Sequence, residues 1–500
     1  MLENTKSEIL IGNLRDGYRP ATKTSTLYSP NALRGMRNLN LGESRKQSPP
    51  PADNDGVTRI KYEIHFPAPE GVSRMDLLRY HTTTRNFVAL LRGKPLVGMT
   101  YFQALMDLFE RAKLYMPRDC NPCEMLVKYL IRNNLHNVAN DPGAAAGLLA
   151  WSEDVEVRWQ EGWREAFVHC TGMYAKVQRR PEYRDISNTT CVLLNHAHME
   201  LQARIQEVEY RLSTFNFDDL WGSGAAAVSD ARKSYDRFRL ALKAHYETQY
   251  KHWPPRVCRE DNGGWLTRLL IGQLQKDFAA LYDAYIDRNR EGLGLSASIK
   301  CDQMCVANSS DRVSSEHGIG LAKLLATWDH MHKYAHSPKS VPVLPASLTT
   351  NGKAMQTKSG ILSSKSKALE KQAIQAYENS RNMGSKTGVA SNPLVERFRQ
   401  SEKTDRPGEL DPREARKGRW MLIYGVLQIL ATISVDTPHL YFRDNVTYFL
   451  NPRLKGTPPW ELAKDHAFEE ASPLNSHCWT VGRVGPTPTE GAPKLELSIG

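Results

Sequence analysis

The chain has 500 residues, of which 40% are apolar and 24% charged, and a formal net charge of +11. That length fits roughly two to four average domains, or one large domain with unpacked segments, and the 33 Gly and 28 Pro residues argue for unpacked segments. Eight scattered cysteines exclude a small disulfide scaffold, and an apolar run confined to Ile9–Ile11 in the first thirty residues excludes an ordinary secretory leader, so an intracellular protein, cytoplasmic or nuclear, is expected.

Residues 1–57 mix both signs of charge with Ser, Pro, Asn and Gly and carry no hydrophobic period, which predicts a disordered N-terminal arm. From Thr58, Ile60, Tyr62, Ile64 and Phe66 alternate with Lys61, Glu63 and His65, the pattern of one short half-buried strand. The period then turns helical, with helices predicted near 73–92, 99–115 and 122–136. Asn121, Pro122 and Glu124 take the N-cap, first-turn and capping-box positions of the third.

Trp151, Val155, Trp159, Ala166, Cys170 and Tyr174 recur at helical intervals and predict a core-facing stripe, with Glu153, Glu156, Gln160 and Arg164 elsewhere. Leu194, His198, Leu201, Ile205, Val208 and Leu212 step by 4 and 3 residues. Val228, Ala231, Tyr235, Phe238, Leu242, His245 and Gln249 repeat the stepping, so the two runs predict an antiparallel hairpin closed along a coiled-coil-like seam. Leu266, Leu270, Leu274, Phe278, Leu281 and Tyr285 mark a further helix, and another is predicted near Ile319–His336.

Residues 338–410 hold 12 Lys/Arg against 6 Asp/Glu in a Ser-, Thr- and Gly-rich stretch, and this +6 predicts a solvated, disordered basic insertion rather than a charged folded face. Trp420–Val435 is apolar on nearly every side of a helix. At about 24 Å it falls short of the roughly 30 Å hydrocarbon layer, so burial in the core is predicted instead of membrane insertion. The resulting organisation is a mainly α, multi-helix bundle or stack with a minor β element. The helical core occupies 58–337 and 411–460, interrupted by the insertion and followed by a flexible tail over 461–500.

The strings YEIHFPAPEGVSRMDLLRYHTTTRNFVALLRGKPLVG, LLAWSEDVEVRWQEGWREAFVHC, LNHAHMELQARIQEVEYRLSTFNFDDLW and KGRWMLIYGVLQILATISVD, with HWPP and GTPPW, resemble a family of uncharacterised fungal proteins known only as a domain of unknown function. The resemblance runs from about Thr58 to Trp460. It implies a filamentous-fungal source and carries no catalytic residues, cofactor or metal with it.

Cys120-Asn-Pro-Cys123 and Cys301-Asp-Gln-Met-Cys305 have zinc-like spacings, but about 180 residues separate them and the first pair opens a helix, so ordinary cysteines are expected. Asp329, His332 and His336 fall at i, i+3 and i+7 of the predicted helix without an HExxH signature. His196 and His198 point apart. His169 and Cys170 are sequence neighbours, and a Cys–His couple is assembled across space, which leaves Cys170 as core. Glu153, Asp154, Glu156, Glu161 and Glu165, with Arg158 and Arg164 among them, read as a solvated, ion-paired face. Gly292/Gly294 and Gly318/Gly320 lack the rest of a phosphate loop, and no nucleic-acid signature is present. Ser29, Ser48, Ser337 and Ser472, each followed by Pro, are expected to be within reach of a proline-directed kinase.

The expectation is therefore a non-enzymatic interaction or scaffold protein with protein partners. Its rivals are an enzyme whose site gathers His169, His332 or the acidic cluster, and a peripheral protein drawn to anionic membrane surfaces by the basic insertion.

Overall fold

Helix starts in this chain are written in its capping residues. The computed structural model describes residues 66–116, 120–221, 229–256, 264–285, 321–337, 392–404, 410, 412–454, 458, 460 and 468–480, and these form thirteen α-helices and no β-strand. Ser73 caps α1 (Arg74–Arg92) by accepting from Asp76 N, and Gly93 closes it in the left-handed region at φ 61°. Thr100 caps α2 (Tyr101–Tyr115). Asn121 caps α3 (Pro122–Arg132), taking the amides of Cys123 and Glu124 at 2.9 and 3.3 Å, as the sequence predicts. The predicted strand at Thr58–Phe66 lies outside the described residues save Phe66 itself, as does the arm before it.

α4 (Pro142–Ser152) is small and apolar on every side, and it runs through the middle of the first core against α2 and α5 (Gln160–Gly172). The stripe predicted to run continuously from Trp151 to Tyr174 is broken. The chain turns at 153–159, so Val155 leaves the helical phase and is 75% exposed while Trp151, Trp159 and Trp163 are buried. A four-residue α6 (Tyr174–Val177) and a 3-10 turn (Pro181–Asp185) lead into α7 (Asn188–Thr214). At 27 residues α7 spans about 40 Å and serves two hydrophobic cores: Leu194 and Ala197 belong to the first, Leu201, Ile205, Val208 and Leu212 to the second.

The second core is built from α7, α8 (Asp230–Tyr250), α9 (Arg268–Tyr285), α10 (Leu321–His332), α11 (Pro393–Thr404) and α12 (Pro412–Ser434). The predicted α7–α8 hairpin does not close on itself. Both stripes face α12 instead, and the α8–α12 pair is the most extensive helix interface among the described residues. This explains why α12 is apolar all round: Trp420, Met421, Leu422, Ile423, Val426, Leu427, Ile429 and Leu430 have neighbours on several sides and are buried. Burying each such side chain contributes on the order of 1.5–3 kcal/mol. The α8 stripe also drifts in its last turn, where Tyr246 rather than His245 or Gln249 enters the core, stacking on Trp253 with centroids 4.9 Å apart. No described helix is long and apolar enough to cross a membrane.

Two segments expected to be unstructured contribute to this core. Within the predicted insertion, α11 buries Leu394, Val395 and Phe398, and Phe398 packs edge-on against Phe238 at 5.1 Å. Asn392 ahead of α11 donates to Asp277 Oδ1 at 3.0 Å, a buried carboxylate that also accepts from Tyr246 and Gln273. Within the predicted tail, α13 (His477–Thr480) buries Cys478 and Trp479, and Tyr282 Oη donates to Cys478 O at 3.1 Å. The remainder of the predicted insertion, 338–391 and 405–409, lies outside the described residues. The stretch after α12, 436–454, returns to the first core and bridges the two. Arg268 clamps Asp436 through two contacts of 2.5 Å, and Arg204 on α7 donates to Asn451 O at 2.6 Å.

Candidate functional site

Among the described residues, three separate groups hold histidines and carboxylates singled out in the sequence. In the first, α5 brings Glu165 and His169 onto one face at i and i+4, and the returning 436–454 segment lays Tyr448 across them. Tyr448 Oη is 2.6 Å from His169 Nδ1, His169 Nε2 is 3.2 Å from Glu165 Oε1, and Tyr448 Oη accepts the Asn140 amide at 3.1 Å. Glu165 also accepts the amides of Tyr441 and Phe442 at 2.8 and 3.0 Å. These partners assign the tautomer: Nε2–H donates to the carboxylate, and Nδ1 accepts the phenol proton. The relay of Tyr, His and Glu is complete, but His169 and Glu165 are 0% and 1% exposed, so no group outside the protein touches either in this conformation. What the relay does is fasten residues 436–454 to α5.

This corrects the reading of the acidic cluster as a solvated face, because it disperses. Glu165 is buried. Glu153 turns away to accept Ser187 N and Thr190 Oγ1 at 2.5 and 2.6 Å beside the start of α7, Glu156 pairs with Lys113 at 2.6 Å, and Asp154 caps its own turn. Arg164 donates to His439 O at 2.8 Å instead of pairing within the cluster. Next to the relay, His136 packs against Tyr441 and Phe442 at 4.9 Å each, with Nδ1 3.3 Å from Leu130 O.

Burial holds the His136 imidazole below its ordinary pKa of about 6.5, against the smaller upward pulls of the Leu130 carbonyl and Glu165. The unfolded chain takes up a proton below about pH 6.5 that the folded protein refuses, so stability is retained above that pH and falls as the pH drops from there toward the folded pKa. His136→Phe should flatten this part of the curve. Denaturant unfolding at pH 7, 6 and 5 checks it, and parallel curves for the two proteins would reject the assignment.

The second group surrounds Asp329. Tyr424 donates to its Oδ2 at 2.5 Å, Gln428 to its Oδ1 at 2.9 Å, and His336 Nδ1 lies 2.6 Å from Oδ2. Burial, then the adjacent carboxylate, pushes the Tyr424 phenol well up. The predicted helix to His336 stops at His332, where Lys333 takes a left-handed conformation (φ 56°), so Asp329, His332 and His336 do not share a helical face. The loop folds His336 back to Asp329, while His332 turns to the third group. There Asp219 accepts from Trp328 Nε1 at 2.8 Å and pairs with Arg211 at 3.0 Å and His332 at 2.7 Å. Burial pushes Asp219 up, but these donors outweigh it and hold the carboxyl below its usual range. His169 and His332 thus sit in groups with no residue in common.

Cys123 is buried, its thiol donating to Val157 O at 3.6 Å, and burial pushes its pKa up to about 11, opposite to the lowering expected of a redox thiol at a helix start. Cys170 is likewise core, its pKa raised by burial. Cys301, Cys305, the four loop glycines, Ser29 and Ser48 lie outside the described residues. Among the described residues no three of His, Cys, Asp and Glu gather in metal-binding geometry. His198 stacks on Tyr174 at 4.7 Å and His196 is exposed. Ser337, expected to be reachable, is buried with its amide donating to Tyr424 Oη, and Ser472 caps a 3-10 turn. The residues missing from the sequence reading are Tyr448, Tyr424, Asn140 and Gln428. Gln428 alone left a signal, as the polar residue inside the apolar run.

One surface remains. On α7 a second line of residues, Val192, His196, Met199, Ala203, Gln206 and Tyr210, repeats the 4-and-3 stepping of the buried stripe on the opposite side, and all six are exposed. Val192, Met199 and Tyr210 are 69%, 62% and 76% exposed. Comparison with curated proteins and with solved structures gives no match. Residues 123–217, from the first turn of α3 through α7 and its Phe215–Phe217 cap, match a family described as a domain of unknown function (DUF8004).

Proposed function

We propose that this chain is an intracellular, non-enzymatic interaction protein of fungal source, and that the outer face of α7 is where a protein partner docks. The observation that carries this reading is the exposed Val192–Met199–Ala203–Tyr210 line. A buried apolar stripe needs no further explanation, but a second line with the same 4-and-3 stepping on the opposite side, facing water, has the spacing that a partner helix reads. Tyr and Met are also residues that interfaces favour over ordinary surface. Further support comes from Glu165, His169, Tyr424 and Asp329, whose hydrogen bonds are spent on joining distant segments of the chain.

The test is comparative capture. Met199→Glu/Tyr210→Glu, at two exposed positions, should leave the thermal melt within about 0.5 kcal/mol of the parent. It should lower recovery of partners bound by the parent chain at least tenfold, as read by quantitative mass spectrometry. Equal recovery by both proteins would defeat the assignment of α7, and failure of the parent to retain any partner would defeat the interaction reading as a whole.

A further inference from the structure

Away from the outer face of α7, the link between α6 and α7 walls a cleft of about 350 Å³ lined by Gln178, Arg179, Arg180, Pro181, Tyr183 and Arg184. Three of the six lining residues are arginines and none is acidic. Arg179 and Arg184 are exposed and have no hydrogen-bond or ion-pair partner among the described residues. Arg180 is steadied from below, its Nε 3.8 Å from the carboxylate of Glu182, which is itself buried. The backbone beneath them is held in the 3-10 turn Pro181–Asp185.

A solitary surface arginine is a solvated group and points to no ligand. The cleft is lined by three arginines and no carboxylate, and a doubly charged anion offsets that concentration of positive charge while accepting paired N–H donors in the fork geometry that suits phosphate. The other wall is not charged. The Tyr183 hydroxyl is engaged by Tyr174 and Cys191, so Tyr183, with Pro181, contributes apolar area to the lining. The volume lies at the small end of the roughly 300–1,000 Å³ of ligand sites, enough for one phosphate with a ring-sized body attached.

We propose that the Arg179–Arg180–Arg184 cleft binds a soluble phosphomonoester dianion whose organic body lies against Tyr183 and Pro181. Calorimetric titration of the full chain at pH 8 and low salt, where phosphomonoesters are dianionic, uses phenyl phosphate and inorganic phosphate as probes. Phenyl phosphate should bind saturably and about tenfold more tightly than inorganic phosphate, the increment expected from covering one apolar face. Arg179→Ala/Arg184→Ala should weaken phenyl phosphate at least tenfold with an unchanged melt. Lysine at both positions should restore only part of the loss, because a point charge lacks the fork. The proposal is overturned if phenyl phosphate gives no saturable heat, or if the alanine double variant binds it equally well. Equal affinity for the two probes overturns the role of the Tyr183 wall. Cosedimentation with phosphatidic-acid vesicles in the absence of phenyl phosphate binding overturns the soluble ester in favour of a lipid headgroup.

Discussion

Gly418→Ala should destabilise this protein by about 2 kcal/mol or more, although alanine is the better helix former by about 1 kcal/mol. Gly418 lies in α12 where it crosses α8. A Cβ built there would fall 1.9 Å from the carbonyl oxygen of Ala231, 2.7 Å from its carbonyl carbon and 3.0 Å from its Cα. The obstacle is helix backbone, which has no rotamer to change, so the new methyl is accommodated only by moving two helices apart. Overpacking of this kind costs about 1–3 kcal/mol and sometimes more. Separation here also loosens the contacts that Tyr235, Phe238 and Leu242 make on α12 in the second core. A lower urea midpoint with an unchanged m-value is the expected readout. Stabilisation by about 1 kcal/mol would mean that helix propensity alone governs the site and that the crossing is wider than described.

Glu165→Ala should cost about 3 kcal/mol and release a defined segment. The substitution removes one buried carboxylate that serves three donors, the Tyr441 and Phe442 amides and His169 Nε2. Hydrogen bonds to a charged acceptor contribute about 1.5–3 kcal/mol each, and an orphaned buried donor costs about 1–3 kcal/mol. The sum is discounted because the hydrogen bond from the Tyr441 amide is only part-buried and the segment relaxes when the carboxylate is lost. Tyr448→Phe removes the outer link of the relay and the acceptor of the Asn140 amide but leaves the carboxylate in place, and should cost about 1–2 kcal/mol. Hydrogen exchange separates a local from a global effect: the amides of 437–451 should lose protection in Glu165→Ala well before those of α4. Uniform acceleration throughout the chain would show that the relay is not what fastens this segment.

Both expectations concern contacts between residues far apart in the chain, and there the sequence was least legible. The helical class could be read because the 4-and-3 stepping of Leu194–Leu212 and the Asn121–Pro122–Glu124 start are local features, set by backbone period and by hydrogen bonds within one turn. The burial of Trp420–Ile433 was legible for a similar reason, since a helix apolar on all sides has no face to give to water. The partner of a stripe was not. Apolar contact is non-directional, so the stripes on α7 and α8 are equally satisfied by each other or by α12, and only the assembled fold chooses.

The candidate groups divide in the same way. Glu165 and His169 are four residues apart on a helix, and that spacing could be read. The burial that turns them from a solvated pair into a relay comes from Tyr448, 279 residues beyond His169. Asp329 and His336 meet because the chain leaves the helix at Lys333, a backbone choice made against Tyr424 and Gln428 of α12. A mainly helical protein, the starts of its helices and its apolar faces are all local properties of the chain, because they follow from interactions within a few residues. The tertiary structure alone decided which stripes meet, that the acidic cluster disperses, that α11 and α13 enter the core, and that one apolar line on α7 is left facing water. Those outcomes depend on burial and hydrogen-bond satisfaction shared among segments hundreds of residues apart.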